Sequence, residues 1–254
     1  MIEVKSIICG YGKKTVLSEL SLNVKRGELL SVIGLNGCGK STLLKALSGI
    51  VGYRSGKIFI DGISTKDLSP RSLARKVAYL PQINKPSDMT VGELALMGRF
   101  PHTRFPHVYS NKDKLIVKDT LEKLNVSSVA DAPLSSLSGG MLQRAYIAMA
   151  LCQEADCILL DEPSTHLDIS ADIDLVRIMR RLTEDGKAVV LVTHDIPLAF
   201  DVSDRVAVLS DGRISADGAP YALLSDGVVE STFEVKLLQT ESGGHYFDRK
   251  NEYV

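Results

Sequence analysis

Leu30-Ser31-Val32-Ile33-Gly34-Leu35-Asn36-Gly37-Cys38-Gly39-Lys40-Ser41-Thr42 decides how the rest of this chain is read. An apolar run of buried-strand character ends at Gly34, and Leu43, Leu44 and Leu47 then recur at helical spacing until Gly49. Strand, Gly-x-x-x-x-Gly-Lys-Ser, helix is the context in which a glycine-rich loop cradles phosphate. Gly34, Gly37 and Gly39 let the backbone curl so that successive N–H groups point inward. The positive end of the following helix faces the same anion. Lys40 then reaches the β- and γ-phosphates, and the Ser41 hydroxyl is placed to ligate Mg²⁺. The stretch implies a nucleoside triphosphate and leaves open what it drives.

Working outward, the chain has 254 residues, 44% hydrophobic and 24% charged, with a net charge of -1. That length supports one large or two small cores. A near-neutral chain gives no support for a general nucleic-acid binder. No apolar run approaches the ~20 residues that cross a bilayer, and the start Met1-Ile2-Glu3-Val4-Lys5 lacks a signal-peptide pattern. The protein is therefore expected in the cytosol, with any membrane role exercised through partners. Cys9, Cys38, Cys152 and Cys157 show no paired metal-ligand spacing and read as reduced thiols. Cys38 lies beside Lys40 at a helix N-terminus, a setting expected to lower its pKa.

Before the loop, Ile2, Val4, Leu20, Leu22 and Val24 alternate with polar residues as strands do, and Tyr11 is an aromatic in a polar turn. After it, Lys57 to Ile60 and Arg75 to Leu80 read as strands, the second cut by Pro81 and followed by Gln82. From about 87 to 140 helical spacing takes over, as in Val91, Leu94, Ala95 and then Leu115, Val117, Leu121, Leu124. Within this stretch, Arg99-Phe100-Pro101-His102-Thr103-Arg104-Phe105-Pro106-His107 reads as a contact loop. Ser138 is a natural N-cap, and Gly139-Gly140 leaves the next helix open at its N-terminus. Cys157-Ile158-Leu159-Leu160 is a buried strand running into Asp161-Glu162, acids placed for Mg²⁺ and water. A second buried strand, Ala188 to Val192, leads to His194 at the same level. Residues 205–209 and 213–216 predict a hairpin, and the tail beyond about 225 carries mixed signals.

Phosphate loop, Gln82, Leu137-Ser138-Gly139-Gly140, the strand ending in Asp161-Glu162, Leu167-Asp168 and His194 together resemble the ABC ATPases. Six separated motifs agree in order over about residues 1 to 225, leaving 226–254 as a C-terminal extension. The resemblance implies an α/β P-loop NTPase (RecA-like) core with an N-terminal antiparallel β subdomain and a helical subdomain inserted at about 87–140. It also implies roles. Tyr11 stacks on adenine, and Gly34, Asn36, Gly37, Cys38, Gly39, Lys40, Ser41 and Thr42 surround the phosphates of ATP. Asp161, Ser41 and Gln82 hold Mg²⁺, Glu162 polarises the attacking water, and His194 touches the γ-phosphate. Ser138, Gly139 and Gly140 face the ATP of a second copy, with Asp168 near that interface. Met141 departs from the family pattern, where a glutamine or glutamate follows Gly-Gly.

Met89 to His102 and Pro163 to Asp168 are similar to the importers of iron-siderophores, haem and cobalamin. That likeness implies a homodimeric ATPase peripheral to the cytoplasmic face of the plasma (inner) membrane. It would work with integral-membrane permease subunits and, indirectly, with a substrate-binding protein; no nucleic acid is expected. The loop from Arg99 to His107 is the expected permease contact. A soluble ABC ATPase of iron–sulfur cluster assembly stays open as the alternative.

Overall fold

A computed structural model describes residues 1–82, 87–164, 169–240 and 244–248. The chain opens with a hairpin of β1 (Ile2–Tyr11) and β2 (Lys14–Val24), followed by β3 (Leu29–Ile33), the glycine loop and α1 (Lys40–Leu47). β4 (Tyr53–Ile60), β5 (Ile63–Ser64), α2 (Pro70–Ala74) and β6 (Val77–Leu80) come next. A helical stretch holds α3 (Val91–Met97), α4 (Asn111–Lys123) and α5 (Gly139–Cys152). The chain returns through β7 (Cys157–Asp161), α6 (Ile169–Glu184), β8 (Ala188–Val192) and α7 (Ile196–Val202). The hairpin β9 (Arg205–Ser210) and β10 (Arg213–Gly218) precedes α8 (Pro220–Ser225), α9 (Val228–Phe233), β11 (Lys236–Gln239) and β12 (His245–Asp248).

Two larger sheets result. One is antiparallel in the order β2-β1-β4-β5; the other runs β10-β9-β3-β8-β7-β6 and is parallel from β9 to β6. Composition explains the difference. Every residue of β3, β7 and β8 is buried, as befits strands covered on both faces. β1 and β2 largely alternate buried and exposed positions, as strands with one wet face do.

The period of two divides the parallel sheet between two cores. Val32, Leu159, Val190 and Val192 pack with Leu43, Leu44 and Leu47 of α1 and with Ile7, Leu20 and Ile58 of the antiparallel sheet. Ile158, Leu160, Val189 and Leu191 pack on the other side with Leu94, Leu121, Ala148, Leu175 and Met179 of α3 to α6. Layers on both sides of one sheet are the α/β solution to burying it.

Local chemistry starts the helices of the 87–140 stretch. Thr90 with Glu93 and Ser110 with Asp113 form capping boxes, and the Ser138 hydroxyl oxygen accepts from the Met141 N–H. Leu115 corrects the expected stripe: it is 60% exposed, whereas Val117, Leu121 and Leu124 are buried. It lies about 200° around the helix from Val117, outside the i, i+4, i+7 face. Beyond residue 225, Val229 of α9 is fully buried in a cluster with Phe200 and Val206, so part of the tail packs on the main body.

Candidate nucleotide-binding site

The strand order β3-β8-β7-β6 brings together stretches far apart in sequence. The carboxyl ends of these neighbours lead into the 34–42 loop, His194, Asp161-Glu162 and Gln82. Open α/β sheets bind ligands at that edge, where loops diverge over the strand ends.

Tight packing shapes the glycine loop. A Cβ on Gly34 would lie 2.2 Å from the Leu209 carbonyl oxygen and 2.8 Å from Cys38 Sγ. One on Gly39, at φ +114°, would lie 2.7 Å from Leu17 Cδ2. Asn36 and Gly37 are exposed at the rim, Thr42 is buried, and the Cys38 N–H bonds to the Leu35 carbonyl at 3.3 Å. Lys40 is buried, and its ammonium donates to the carbonyl oxygens of Gly34 (2.8 Å) and Leu35 (3.2 Å). The β1–β2 hairpin runs alongside, with Val16 and Leu17 against Gly39, and ends at the half-exposed Tyr11.

Asp161 is 4% exposed, and its two oxygens are divided. The Ser41 hydroxyl donates to Oδ1 at 2.9 Å, and the Tyr79 hydroxyl donates to Oδ2 at 2.9 Å. Burial, reinforced by the neighbouring Asp161 carboxylate, raises the Tyr79 pKa, so the phenol stays a donor. A hydroxyl and a carboxylate oxygen beside a phosphate loop are the hard donors Mg²⁺ takes, so Ser41 and Asp161 fit that ion. Glu162 sits one residue on, at φ 49°, with its N–H bonded to the Val192 carbonyl at 2.9 Å. A non-glycine residue in that left-handed region is held there by its surroundings. Gln82 Nε2 donates to Glu162 Oε2 at 3.1 Å, and His194 Nδ1 lies 3.7 Å from the same oxygen. The structure thus brings Gln82, Glu162 and His194 together beside Asp161, Ser41 and Lys40.

Cys38 corrects an expectation. Burial raises its pKa, outweighing the lowering influence of Lys40 and of backbone N–H groups. The thiol packs against Gly34 as a protonated side chain and is not an activated thiolate.

Ser138-Gly139-Gly140 heads α5 in the helical layer, with Ser138 and Gly139 exposed and Gly140 half-buried. Among the described residues no hydrogen bond joins these three to Lys40, Ser41 or Asp161. Leu167 and Asp168 lie outside the described residues.

The 99–107 loop divides in a way its composition conceals. Phe100 is 53% exposed and Phe105 89%, but Arg99 is 3% exposed and so is not a contact residue. Its Nε donates to Asp113 Oδ1 at 2.9 Å, and its Nη1 donates to the Cys152 carbonyl at 2.6 Å and to Glu154 Oε2 at 2.7 Å. The guanidinium fork ties the start of α4 to the end of α5. Burial pushes the Asp113 pKa up, but the Ser110 hydroxyl and Arg99 overcome this and hold it down at about 2. His102 Nε2 bonds to the Gln153 carbonyl, so that imidazole too is engaged internally.

A parallel sheet with a glycine loop and helix after β3, and acid residues at the end of β7 on the far side of β8, defines a P-loop nucleoside triphosphatase. Tyr79 and the backbone of Glu162 belong to this site and have no motif in the sequence; the one hint was a tyrosine inside a buried strand, whose hydroxyl needs a partner. The chain belongs to the ABC transporter family, whose sequence profile matches residues 17–165. It is 35% identical over 242 residues to a probable siderophore transport system ATP-binding protein, YusV, of Bacillus subtilis, covering 94% of this chain and 88% of that one. It is 35% identical to the petrobactin import ATP-binding protein YclP of the same organism, covering 97% and 100%. Among solved structures, a putative metal-chelate type ABC transporter in an inward-facing conformation matches with a TM-score of 0.83 at 25% identity, covering 98% of each chain. A dimeric bacterial ABC transporter cassette matches with a TM-score of 0.76 at 30% identity, covering 87% and 99%. Like ATP-binding subunits of this family, the chain is an ATPase.

Proposed function

We propose that this chain is the ATP-hydrolysing subunit of an importer for the iron-siderophore, haem or cobalamin group, with iron-siderophores favoured. It acts as a head-to-tail homodimer on the cytoplasmic face of the plasma (inner) membrane, beneath integral-membrane permease subunits supplied through a substrate-binding protein. Residues 1–225 form the ABC ATPase domain, with the helical subdomain at about 87–140 and 226–254 as an extension. The siderophore and petrobactin relatives support cargo and direction. Among the described residues no helix is long and apolar enough to cross a membrane, in keeping with work through partners.

The carrying observation is an asymmetry. Lys40, Ser41, Asp161, Glu162, Gln82 and His194 gather at one sheet edge, while Ser138-Gly139-Gly140 opens an uncovered helix start elsewhere. In a head-to-tail pair that start covers the phosphates held by the other copy's loop. Tyr11 stacks on adenine. Gly34 to Thr42 wrap the phosphates, with Asn36 at the rim and Lys40 supplying charge. Ser41, Asp161 and Gln82 hold Mg²⁺, which when bound neutralises charge on the phosphates. Glu162 accepts a proton from the attacking water, and Gln82 and His194 fix the carboxylate that does so. Hydrolysis removes the γ-phosphate that both copies grip, so the pair opens and the permease moves.

The test is Glu162→Gln in Mg·ATP. Turnover falls about 10²–10⁴-fold, nucleotide binding persists, and size-exclusion chromatography shows a dimer. A monomer with undiminished turnover overturns the reading.

A further inference from the structure

We propose that Tyr79 is a positioning residue, one that turns the Asp161 carboxylate so that it meets Mg²⁺ through a single oxygen. The inference rests on the reading of Ser41 and Asp161 as the metal's ligands and adds a residue no motif assigns.

Register sets up the contact. Tyr79 of β6 pairs with Leu159 of β7, so Asp161, two residues further along β7, is its diagonal neighbour on the same face. Long aromatic side chains span that diagonal, and here the phenol does so with a 2.9 Å hydrogen bond to Oδ2. The ring is held by the cluster that contains Leu159, Leu43 and Leu44, so the hydroxyl is offered from a packed base. Ser41 Oγ occupies the other oxygen, Oδ1. One carboxylate is thus split between a hydroxyl on the phosphate-loop helix and a phenol on the edge strand.

That division matters for the choice of ion. Mg²⁺ demands near-octahedral coordination at ~2.0–2.1 Å and keeps several waters, whereas Ca²⁺ accepts bidentate carboxylates in looser shells. With Oδ2 committed to Tyr79, Asp161 offers Oδ1 alone. Without the phenol hydroxyl the carboxylate is free to turn and present both oxygens. Partners that orient a metal-binding side chain are worth ~10–100-fold in metal affinity.

Tyr79→Phe keeps the ring and deletes only the hydroxyl. Binding of a fluorescent, non-hydrolysable ATP analogue to the full chain is measured in EDTA and in titrations with Mg²⁺ and with Ca²⁺. In EDTA the variant is expected to match the parent within about twofold. Its Mg²⁺ half-saturation rises about tenfold, while its Ca²⁺ half-saturation moves less than about threefold, narrowing the preference. If the parent shows no Mg²⁺-dependent gain, the ligand reading itself fails and this inference falls with it. If the parent gains and the variant gains equally, Tyr79 has no positioning role and the ligand reading stands. Loss of binding in EDTA as well shows a general effect on the fold and equally overturns the inference.

Discussion

Lys40 Nζ lies 2.8 Å from the carbonyl oxygen of Gly34, so the loop's one lysine is folded back onto the loop's own first residue. A second contact, 3.2 Å to the Leu35 carbonyl, completes the hold on a buried ammonium. Hydrogen bonds to charged groups contribute about 1.5–3 kcal/mol. Lys40→Ala is therefore expected to weaken ATP binding by roughly ten- to a hundredfold. Calorimetric titration checks this, with circular dichroism as the fold control. Affinity within twofold of the parent removes Lys40 from the phosphate site.

Arg99 and Phe105 share a loop and part company in effect. Arg99→Ala leaves Asp113 and Glu154 without their fork, and breaking a buried pair costs about 3–5 kcal/mol. Phe105→Ser changes a side chain that is 89% exposed, and stability stays within about 0.5 kcal/mol. Urea unfolding separates the two. In the assembled transporter the Phe105 variant is expected to hydrolyse ATP at the basal rate yet import poorly, as ATPase and uptake assays would show. Full uptake by that variant takes the exposed aromatics out of the permease contact.

Asp113 makes part of the stability depend on pH. Its folded pKa is held at about 2, below the ordinary 3.8, so its contribution is complete above about pH 4 and fades as pH falls toward 2. Asp113→Asn lacks that charge at every pH. The stability gap between parent and variant is therefore expected to narrow as pH drops from 5 to about 2.5. Thermal melts across that range measure it, and a gap that stays constant rules out Asp113 as the titrating group.

What could be read from the chain alone was local. The loop from Gly34 to Thr42, the cap at Ser138 and the wholly apolar strands each announce themselves within a few residues, because phosphate cradling, capping and two-sided burial are short-range demands. Tyr79 escaped because its partner lies 82 positions away, and the pairing depends on β6 lying beside β7, which no local pattern encodes. Arg99 misled because an arginine among prolines and aromatics looks solvated until its three partners assemble from α4, the last residue of α5 and the turn just after it. Cys38 misled in the opposite sense: its neighbours in sequence argue for a thiolate, and its neighbours in space bury the sulfur. Glu162 was identified by its motif, while the left-handed backbone that aims it had no signature of its own.

The Arg99 fork has a mechanical meaning for the proposed transporter. It grips the last turn of α5, a helix of 14 residues whose first turn follows Ser138. At 1.5 Å per residue that rod is about 21 Å long. A push from the membrane side on Phe100 or Phe105 is thus delivered through a charged clamp to one end of a stiff lever, and the other end is the tip proposed to grip ATP.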